Sequence, residues 1–540
     1  MKKIGVIFLV LAIIFSASAC QSPDKSGKYR LSKTGEAIID DIGGTGYVCD
    51  DNNRVFYQIF VGSFSDSDGD GIGDLRGIIN RFDYLNDGNP SSGKSLGIEG
   101  IWLSPIFRSP SYHKYDVTDY YAIDSSLGSE EDLKELIELC RARNVKIILD
   151  LPINHTGSRN MWFIKFLNAR KAGDTSDRYY DFYVYSDTVG SGGKVFTKLQ
   201  GTAGYYESNF GGDMPEPNFD SGFVRETMLD VAKYYLDLGV DGFRFDAAKY
   251  IYFGEESRNV EFWKWYIGEL KKIKSDIYTV GEVWSSDSLT VPYFEALNCF
   301  DFSTSQTSGL IAETAKAGNA NIYTAYVERY VGSIKAKNES AMFIPFVSNH
   351  DMDRSAGYLT LASGYMKMAA NLYILGPGSP FIYYGEEIGM KGSRGGANTD
   401  ANRRLAMMWG DGDTVKDPEG TTYLRADQTN GTVAEQLADG SSLLSHYKKL
   451  IMIRNSNPEI ARGEYTALHI QGSKLGGFIS TYHGEYVCVI HNTTRSEQTL
   501  DLSTVTELSL GTLAAVIGEG ASLDGTVLAI GAQTSVVIRK

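Results

Sequence analysis

The sequence predicts an α/β protein: a (β/α)8 TIM barrel with an inserted domain after its third strand, followed by an antiparallel β-sandwich. Three observations support this. Eight short apolar runs recur between Val55 and Glu387, separated by stretches with helical spacing, the alternation that closes a parallel barrel. The surplus length falls between Asn154 and Ser221, a Gly-, Tyr- and Asp-rich stretch too long for a plain connection. After about residue 455 the pattern changes to short alternating runs, EYTALHI, GGFISTYHG, EYVCVIHN and TSVVIRK, as in a separate antiparallel sandwich.

The chain opens with an export signal over residues 1–20. Lys2 and Lys3 precede an apolar run, Ile4 to Phe15, which is too short to span a bilayer. Small residues Ala17-Ser18-Ala19 then lead to Cys20. This fits an ordinary signal peptide cut near Ala19. It also resembles a bacterial lipoprotein processing site, although Ala17 stands where Leu is usual; a lipidated Cys20 would then tether the protein to a membrane, at the cell surface or in the periplasm. Residues 21–50 are polar and read as a tether with at most a short helix.

The barrel strands are expected at Val55–Val61, Gly97–Pro105, Val145–Pro152, Gly242–Asp246, Asp276–Trp284, Asn298–Ser303, Ala341–Asp351 and Ser379–Glu387. Among the helices, Glu130–Arg143 is amphipathic. In Val224–Leu238, residues Val224, Met228, Val231, Ala232, Tyr235 and Leu238 share a face, and Gly239 ends the helix. The expected division is therefore barrel over 51–153 and 222–455, insert over 154–221, and sandwich over 456–540.

A net charge of -15 argues against a nucleic-acid partner and against a polybasic membrane patch. The five cysteines include no CxxC pair and no zinc spacing, which argues against a disulfide scaffold and against a Cys-ligated metal. Cys140 and Cys299 fall in apolar patterns and read as core residues. Most of the 34 Tyr and 25 Phe should also be core.

The chemistry gathers at the C-terminal ends of the strands, where barrel proteins bind ligands. The third run supplies Asp150, Asn154 and His155, the fourth Arg244 and Asp246, the fifth Glu282, and the seventh His350 and Asp351. Packing does not require acids from distant segments to meet on one rim. Arg244 and Asp246 lie two apart and point to the same side of their strand. The arginine either keeps a nucleophilic aspartate ionised or forms a structural ion pair with it. Glu282 lies between Val280 and Trp284, where desolvation would raise its pKa. Two carboxylates facing a glycosidic bond are what retaining hydrolysis needs, one attacking the anomeric carbon and one protonating the leaving oxygen. A third, Asp351, could stabilise the positive transition state.

The segments DLPINH (Asp150–His155), GFRFDAAKY (Gly242–Tyr250), GEVW (Gly281–Trp284) and FVSNHD (Phe346–Asp351) occur in this order, each on its expected strand. Together they resemble the four barrel-strand motifs of the alpha-amylase family of retaining glycoside hydrolases, and the likeness extends over about 50–540. The resemblance implies that Asp246 is the nucleophile, Glu282 the general acid/base and Asp351 the transition-state stabiliser, with Arg244 holding the nucleophile ionised. It further implies that His155 and His350 bind sugar hydroxyls, that Tyr115 stacks on the sugar with His113 beside it in YHKYD (Tyr112–Asp116), and that Lys249 contacts the leaving-group side.

The loop Asp66-Ser67-Asp68-Gly69-Asp70-Gly71-Ile72-Gly73-Asp74 alternates oxygen ligands with glycines, as EF-hand loops do, but Gly77 stands where the bidentate Glu would be. It reads as a solvated acidic turn or as a structural cation site formed by Asp66, Asp68, Asp70, the Ile72 carbonyl and Asp74. Similarity to the same loop in oligo-1,6-glucosidase-like members implies Ca2+, or Mg2+. The resemblance also offers Asn154, with Asp213, for a second calcium, although Tyr250 replaces the usual His nearby.

GDMPEPNFD (Gly212–Asp220) resembles a family motif in a form between oligo-1,6-glucosidases and neopullulanases, and RRLAMMW (Arg403–Trp409) resembles a segment that exo-glucosidases place near the leaving-group sugar. Tyr112 stands where exo-acting members carry an aspartate, and Ala247 where α-1,6-specific members usually carry Val. The expectation is an endo-acting hydrolase of α-1,4-glucosidic bonds in starch-like glucans and maltooligosaccharides. An α-glucosidase or glucosyltransferase on the same site, and a non-catalytic glucan-binding surface protein, remain as alternatives.

Overall fold

The computed structural model describes residues 51–540 apart from 91, 191, 395–399 and 429, together with 30–31 and 37–38. The export signal, Cys20 and Cys49 lie outside the described residues. Among those described, no helix is long and apolar enough to cross a membrane. Arg30–Leu31 and Ala37–Ile38 pair as a short antiparallel ladder, where the sequence suggested at most a helix.

Seven regular parallel strands curl into the barrel: β1 (Phe56–Ile59), β2 (Gly100–Leu103), β3 (Lys146–Leu151), β4 (Gly242–Phe245), β5 (Tyr278–Gly281), β6 (Asn298–Cys299) and β7 (Phe381–Tyr383). Their order is β6-β5-β4-β3-β2-β1-β7. The expected stave at Ala341–Asp351 is extended but forms no regular ladder. It lies between β6 and β7 and gives them carbonyls: Ile344 accepts from the Asp301 amide at 3.0 Å, Phe343 from Ser379 at 2.8 Å and Pro345 from Phe381 at 3.0 Å. Pro345 has no amide hydrogen to return. The ring is closed, but through a seam built largely from one side.

Alternation along each strand decides which side chains reach the site. On β4, Phe243 and Phe245 face outward, Phe245 packing on Trp263 and Tyr266 of the helix Glu256–Ile273. That leaves Gly242 and Arg244 pointing inward. A Cβ at Gly242 would lie 1.8 Å from the Tyr278 carbonyl oxygen, so only glycine permits the β4–β5 approach. The barrel interior below the site is filled by Phe56, Trp102, Ile148, Tyr278, Val280 and Phe381, among others.

The surrounding helices carry the sequence signals in their caps. Ser129 and Asp132 form a reciprocal capping box on Glu130–Ala142. Gly222–Leu238 ends at Gly239, which adopts φ 110°. After β3 the chain forms the helix Met161–Ala172 and three short strands, Tyr185–Ser186, Phe196–Lys198 and Tyr205–Glu207, before returning to the barrel at Gly222.

The boundary expected near 455 falls inside the helix Leu443–Ser456; a second helix, Pro458–Arg462, follows, and the antiparallel strands begin at Glu464. These helices belong with the barrel, because Arg454 reaches from the first of them to the carbonyls of Ile374, Gly376 and Gly378, on the approach to β7. Beyond Glu464 a five-stranded and a three-stranded antiparallel sheet enclose a separate core that includes Leu468, Ile490, Leu528 and Val536. Cys140, Cys299 and Cys488 are buried free thiols.

Candidate active site

Arg244 is wholly buried at the mouth of the barrel and joins three acids. Its Nη1 donates to Asp150 Oδ1 at 2.7 Å and to Asp246 Oδ1 at 2.6 Å, and its Nη2 donates to Glu282 Oε2 at 2.7 Å. One guanidinium therefore fixes the spacing of the carboxylates from β4 and β5. Asp150 also accepts from Trp102 Nε1 at 3.2 Å and Tyr115 Oη at 2.9 Å. Glu282 Oε2 takes a second donor, the Ala247 amide, at 3.1 Å. That amide is aimed by a left-handed backbone at Ala247, φ 41°, an uncommon conformation for a residue with a Cβ.

Asp246, Glu282 and Asp351 all line one open cavity of about 650 Å3. Burial, reinforced by the charges of Asp246 and Asp351 and opposed by Arg244, pushes the Glu282 carboxyl up to about 8. Burial acts the same way on Asp150, with Asp246 adding to it, and raises it to about 7 against the pull of Arg244. Asp351 goes the other way. Burial would raise it, but His350 and the guanidiniums of Arg404 and Arg244 hold it at about 2. The site thus contains one carboxyl that keeps its proton near neutrality and another that stays ionised.

The remaining expected residues divide. His113, Tyr115, His155 and Lys249 line the cavity. His155 Nε2 lies 3.1 Å from the Tyr115 carbonyl, and its buried Nδ1 has no hydrogen-bond partner among the described residues. Lys249 Nζ donates to the Trp284 carbonyl at 2.8 Å. Burial, with Arg404 nearby, lowers the His113 pKa to about 4, leaving the ring neutral. His350 departs from expectation: its ring is fully buried and both nitrogens are engaged, Nδ1 by Gln58 at 2.7 Å and Nε2 by Tyr115 Oη at 2.5 Å and Asp351 Oδ2 at 3.0 Å. It supports the groups that line the cavity and is not itself exposed there.

Several lining residues were not singled out from sequence. Arg404 donates to Asp351 Oδ1 at 2.7 Å, to the His350 carbonyl at 3.0 Å and to Tyr112 Oη at 3.2 Å. Its signal was a charged pair, Arg403-Arg404, leading straight into an apolar run. Phe210 and Met214 enter from the insert, and Asp400 from a loop. Trp284 stacks on Phe302 at 5.0 Å between ring centres and is shared, with Asp351 and Asp400, by an adjoining cavity of about 520 Å3.

In the acidic loop, Asp66, Asp68 and Asp74 each bring a carboxylate oxygen within 4.8 Å of the others. Three anionic oxygens at one point fit a hard cation, whose charge would offset their repulsion. Asp70 is not in this group; its Oδ1 accepts the Ile72 amide at 2.6 Å. Asp74 also caps the helix Leu75–Asn80 through Gly77, so the loop is tied to the barrel. The buried side chain of Asn154 has neither its oxygen nor its nitrogen hydrogen-bonded among the described residues, which suits contact with an outside ligand. The Asp213 carbonyl accepts from the amide of Ser158, which closely follows Asn154 in sequence, at 2.7 Å.

Comparison with known proteins agrees with this geometry. The model of the alpha-amylase catalytic domain matches residues 58–463. Alpha-amylase 3 of Dictyoglomus thermophilum is 35% identical over 458 residues, covering 84% of this chain and 87% of the relative. A 4-alpha-glucanotransferase of Thermotoga maritima is 34% identical over 425 residues, covering 76% and 88%. The structure of Eubacterium rectale Amy13B superposes with a TM-score of 0.85 at 35% identity, over 92% of this chain and 97% of that one. A barrel rim with three acids in one cavity, a matching catalytic-domain model and relatives over most of the length lead to one conclusion: the chain belongs to the alpha-amylase family of glycoside hydrolases.

Proposed function

We propose that the protein is a retaining, endo-acting hydrolase of α-1,4-glucosidic bonds in starch-like glucans and maltooligosaccharides. The observation that carries this reading is the shared guanidinium of Arg244, which holds Asp246 and Glu282 at one cavity wall with Asp351 on the same cavity. Asp246 attacks the anomeric carbon, and Glu282, protonated near neutral pH, donates its proton to the leaving oxygen. Glu282 then removes a proton from the incoming water as the covalent intermediate is hydrolysed. Asp351, kept ionised, faces the oxocarbenium-like charge. Tyr115, His113 and His155 line the sugar-binding wall, and Lys249 and Trp284 lie toward the departing chain. The adjoining cavity past Trp284 supports a chain continuing on the leaving-group side; the internal-cleavage part of the proposal rests on Tyr112, which stands where exo-acting members carry the aspartate that closes the non-reducing end.

That second cavity also supports a second reading, glucanotransfer, in which a sugar held near Trp284 accepts the glucosyl unit instead of water. The 34% identical relative named as a 4-alpha-glucanotransferase points the same way. Export with lipid anchoring at Cys20 belongs to the proposal as well, resting on the Ala-Ser-Ala-Cys ending, as does a structural Ca2+, with Mg2+ the alternative, at Asp66, Asp68 and Asp74. When bound, the cation would neutralise these acids and stiffen the loop after β1.

Chromatography of amylose products over time tests the reaction. Mixed-length maltooligosaccharides appearing early support internal cleavage; a single short product rejects it, and products longer than a maltooligosaccharide substrate establish transfer. Asp246→Asn and Glu282→Gln should each lower kcat by at least about a thousandfold; wild-type rates in both would remove the catalytic assignment. Because the acid works protonated, kcat/KM should fall as pH rises through about 8, the value to which burial lifts Glu282; a profile flat to pH 10 would contradict its role.

Stripping divalent cations should lower the melting temperature, with recovery on Ca2+ addition. Asp66→Ala with Asp68→Ala should abolish that recovery, and a melting curve indifferent to chelator would dismiss the cation. Cys20→Ser should release the protein from the membrane fraction; a wild type recovered wholly soluble would count against the anchor.

A further inference from the structure

Gln58 lies on β1 with its side chain turned inward, two residues from Phe56, and is 1% exposed. An amide buried among aromatic rings is costly unless bonded. Its Nε2 lies 2.7 Å from His350 Nδ1. Across the same ring, His350 Nε2 is 2.5 Å from Tyr115 Oη and 3.0 Å from Asp351 Oδ2. Tyr115 Oη is in turn 2.9 Å from Asp150 Oδ2. Gln58 does not line the cavity, so any part it plays must pass through the histidine.

Donor and acceptor chemistry leaves one consistent arrangement. Asp351 is ionised and can only accept. A bare Nε2 facing it at 3.0 Å would oppose two lone pairs, so Nε2 carries the proton. Burial disfavours the imidazolium strongly, to about 3, so the neutral ring leaves Nδ1 bare and in need of a donor. The Gln58 amide nitrogen is at that position. The Tyr115 hydroxyl then accepts from Nε2 and donates to Asp150. Arg404, Arg244 and His113 also face this cluster; the two arginines are occupied by the carboxylates, and His113 is neutral.

We propose that Gln58 is a positioning residue for the transition-state-stabilising carboxylate: by donating to His350 Nδ1 it fixes the tautomer whose Nε2–H meets Asp351 and Tyr115. The inference rests on the role given to Asp351 above. It assigns work to a β1 residue that touches neither substrate nor reacting atoms. It also explains why a polar side chain is kept among the apolar side chains of the barrel floor.

Two near-isosteric variants separate positioning from packing. Gln58→Met removes the donor; kcat on maltooligosaccharide should drop by about tenfold or more with KM little changed. Gln58→Glu replaces the donor with a carboxylate that can only accept once ionised. Its active form therefore needs one proton more than the wild type, on the new carboxyl or on His350. The alkaline limb of its kcat/KM profile should shift to lower pH, while Gln58→Met keeps the wild-type profile shape.

Nitrogen NMR of 15N-histidine-labelled wild type reads the tautomer without substrate, with His350 identified by its loss in His350→Asn. The expected result is a protonated Nε2 and a bare Nδ1. A protonated Nδ1 overturns the proposal, whether or not the enzyme acts on glucans. It is also overturned if both variants keep wild-type kcat and pH profile. Losses that follow the melting temperature alone, with no shift in the Gln58→Glu profile, would assign Gln58 to packing and overturn it too.

Discussion

One buried arginine sets the terms for the whole barrel mouth. Arg244 carries a single positive charge and meets Asp150, Asp246 and Glu282 within 2.7 Å. Three ionised carboxylates around one guanidinium would leave a net charge of about minus two out of water, which is expensive in a low-dielectric site. The cluster relieves this by holding protons: Glu282 and Asp150 are both pushed up, and the Arg404 clamp takes care of Asp351 separately. Division of labour among like side chains therefore follows from how one cation is shared. The same sharing gathers acids from adjacent staves: Arg244 on β4 meets Asp150 on β3, Asp246 directly after β4 and Glu282 directly after β5.

The layers of the structure serve that arrangement. On β4 the outward Phe245 packs on a helix through Trp263 and Tyr266, and strand alternation then turns Arg244 inward. A glycine at 242 lets β4 and β5 approach closely enough for one guanidinium to bridge their ends. The insert after β3 covers one side with Phe210 and Met214, while the long connection after β7 returns Arg404 from the opposite side. Tyr115, whose hydroxyl touches both His350 and Asp150, links the seventh stave to β3.

Much of this was legible in the residues. The apolar runs read correctly as barrel staves because barrel strands are buried on both faces and need no alternation to be noticed. Helix ends were legible where a cap was written locally, as at Gly239. The seventh stave was legible as an apolar run, but its lost regularity follows from Pro345 and from partners far along the chain. The boundary expected near 455 coincides with the turn signal Asn455-Ser456-Asn457-Pro458, whereas one more short helix, Pro458–Arg462, follows before the strands begin at Glu464. The motif acids were legible as a set, whereas the buried state of His350 was not: nothing local distinguishes a histidine that faces substrate from one held by Gln58 nearly three hundred positions earlier. Arg404 was hidden for the same reason. A long-range ion pair leaves no periodicity.

The half-formed seam at Pro345 has a mechanical side. Elsewhere in the ring a stave is pinned by donors and acceptors alternating along both edges. Here the attachment is chiefly carbonyls accepting from the approach to β7 and from the turn after β6, with the Met342 amide donating to the Asn298 side chain, so no regular ladder holds this stave. Asp351 sits at its outer end. The one stave without a regular ladder thus bears one of the three acids, and that acid is held from outside the sheet by the arginine that arrives after β7.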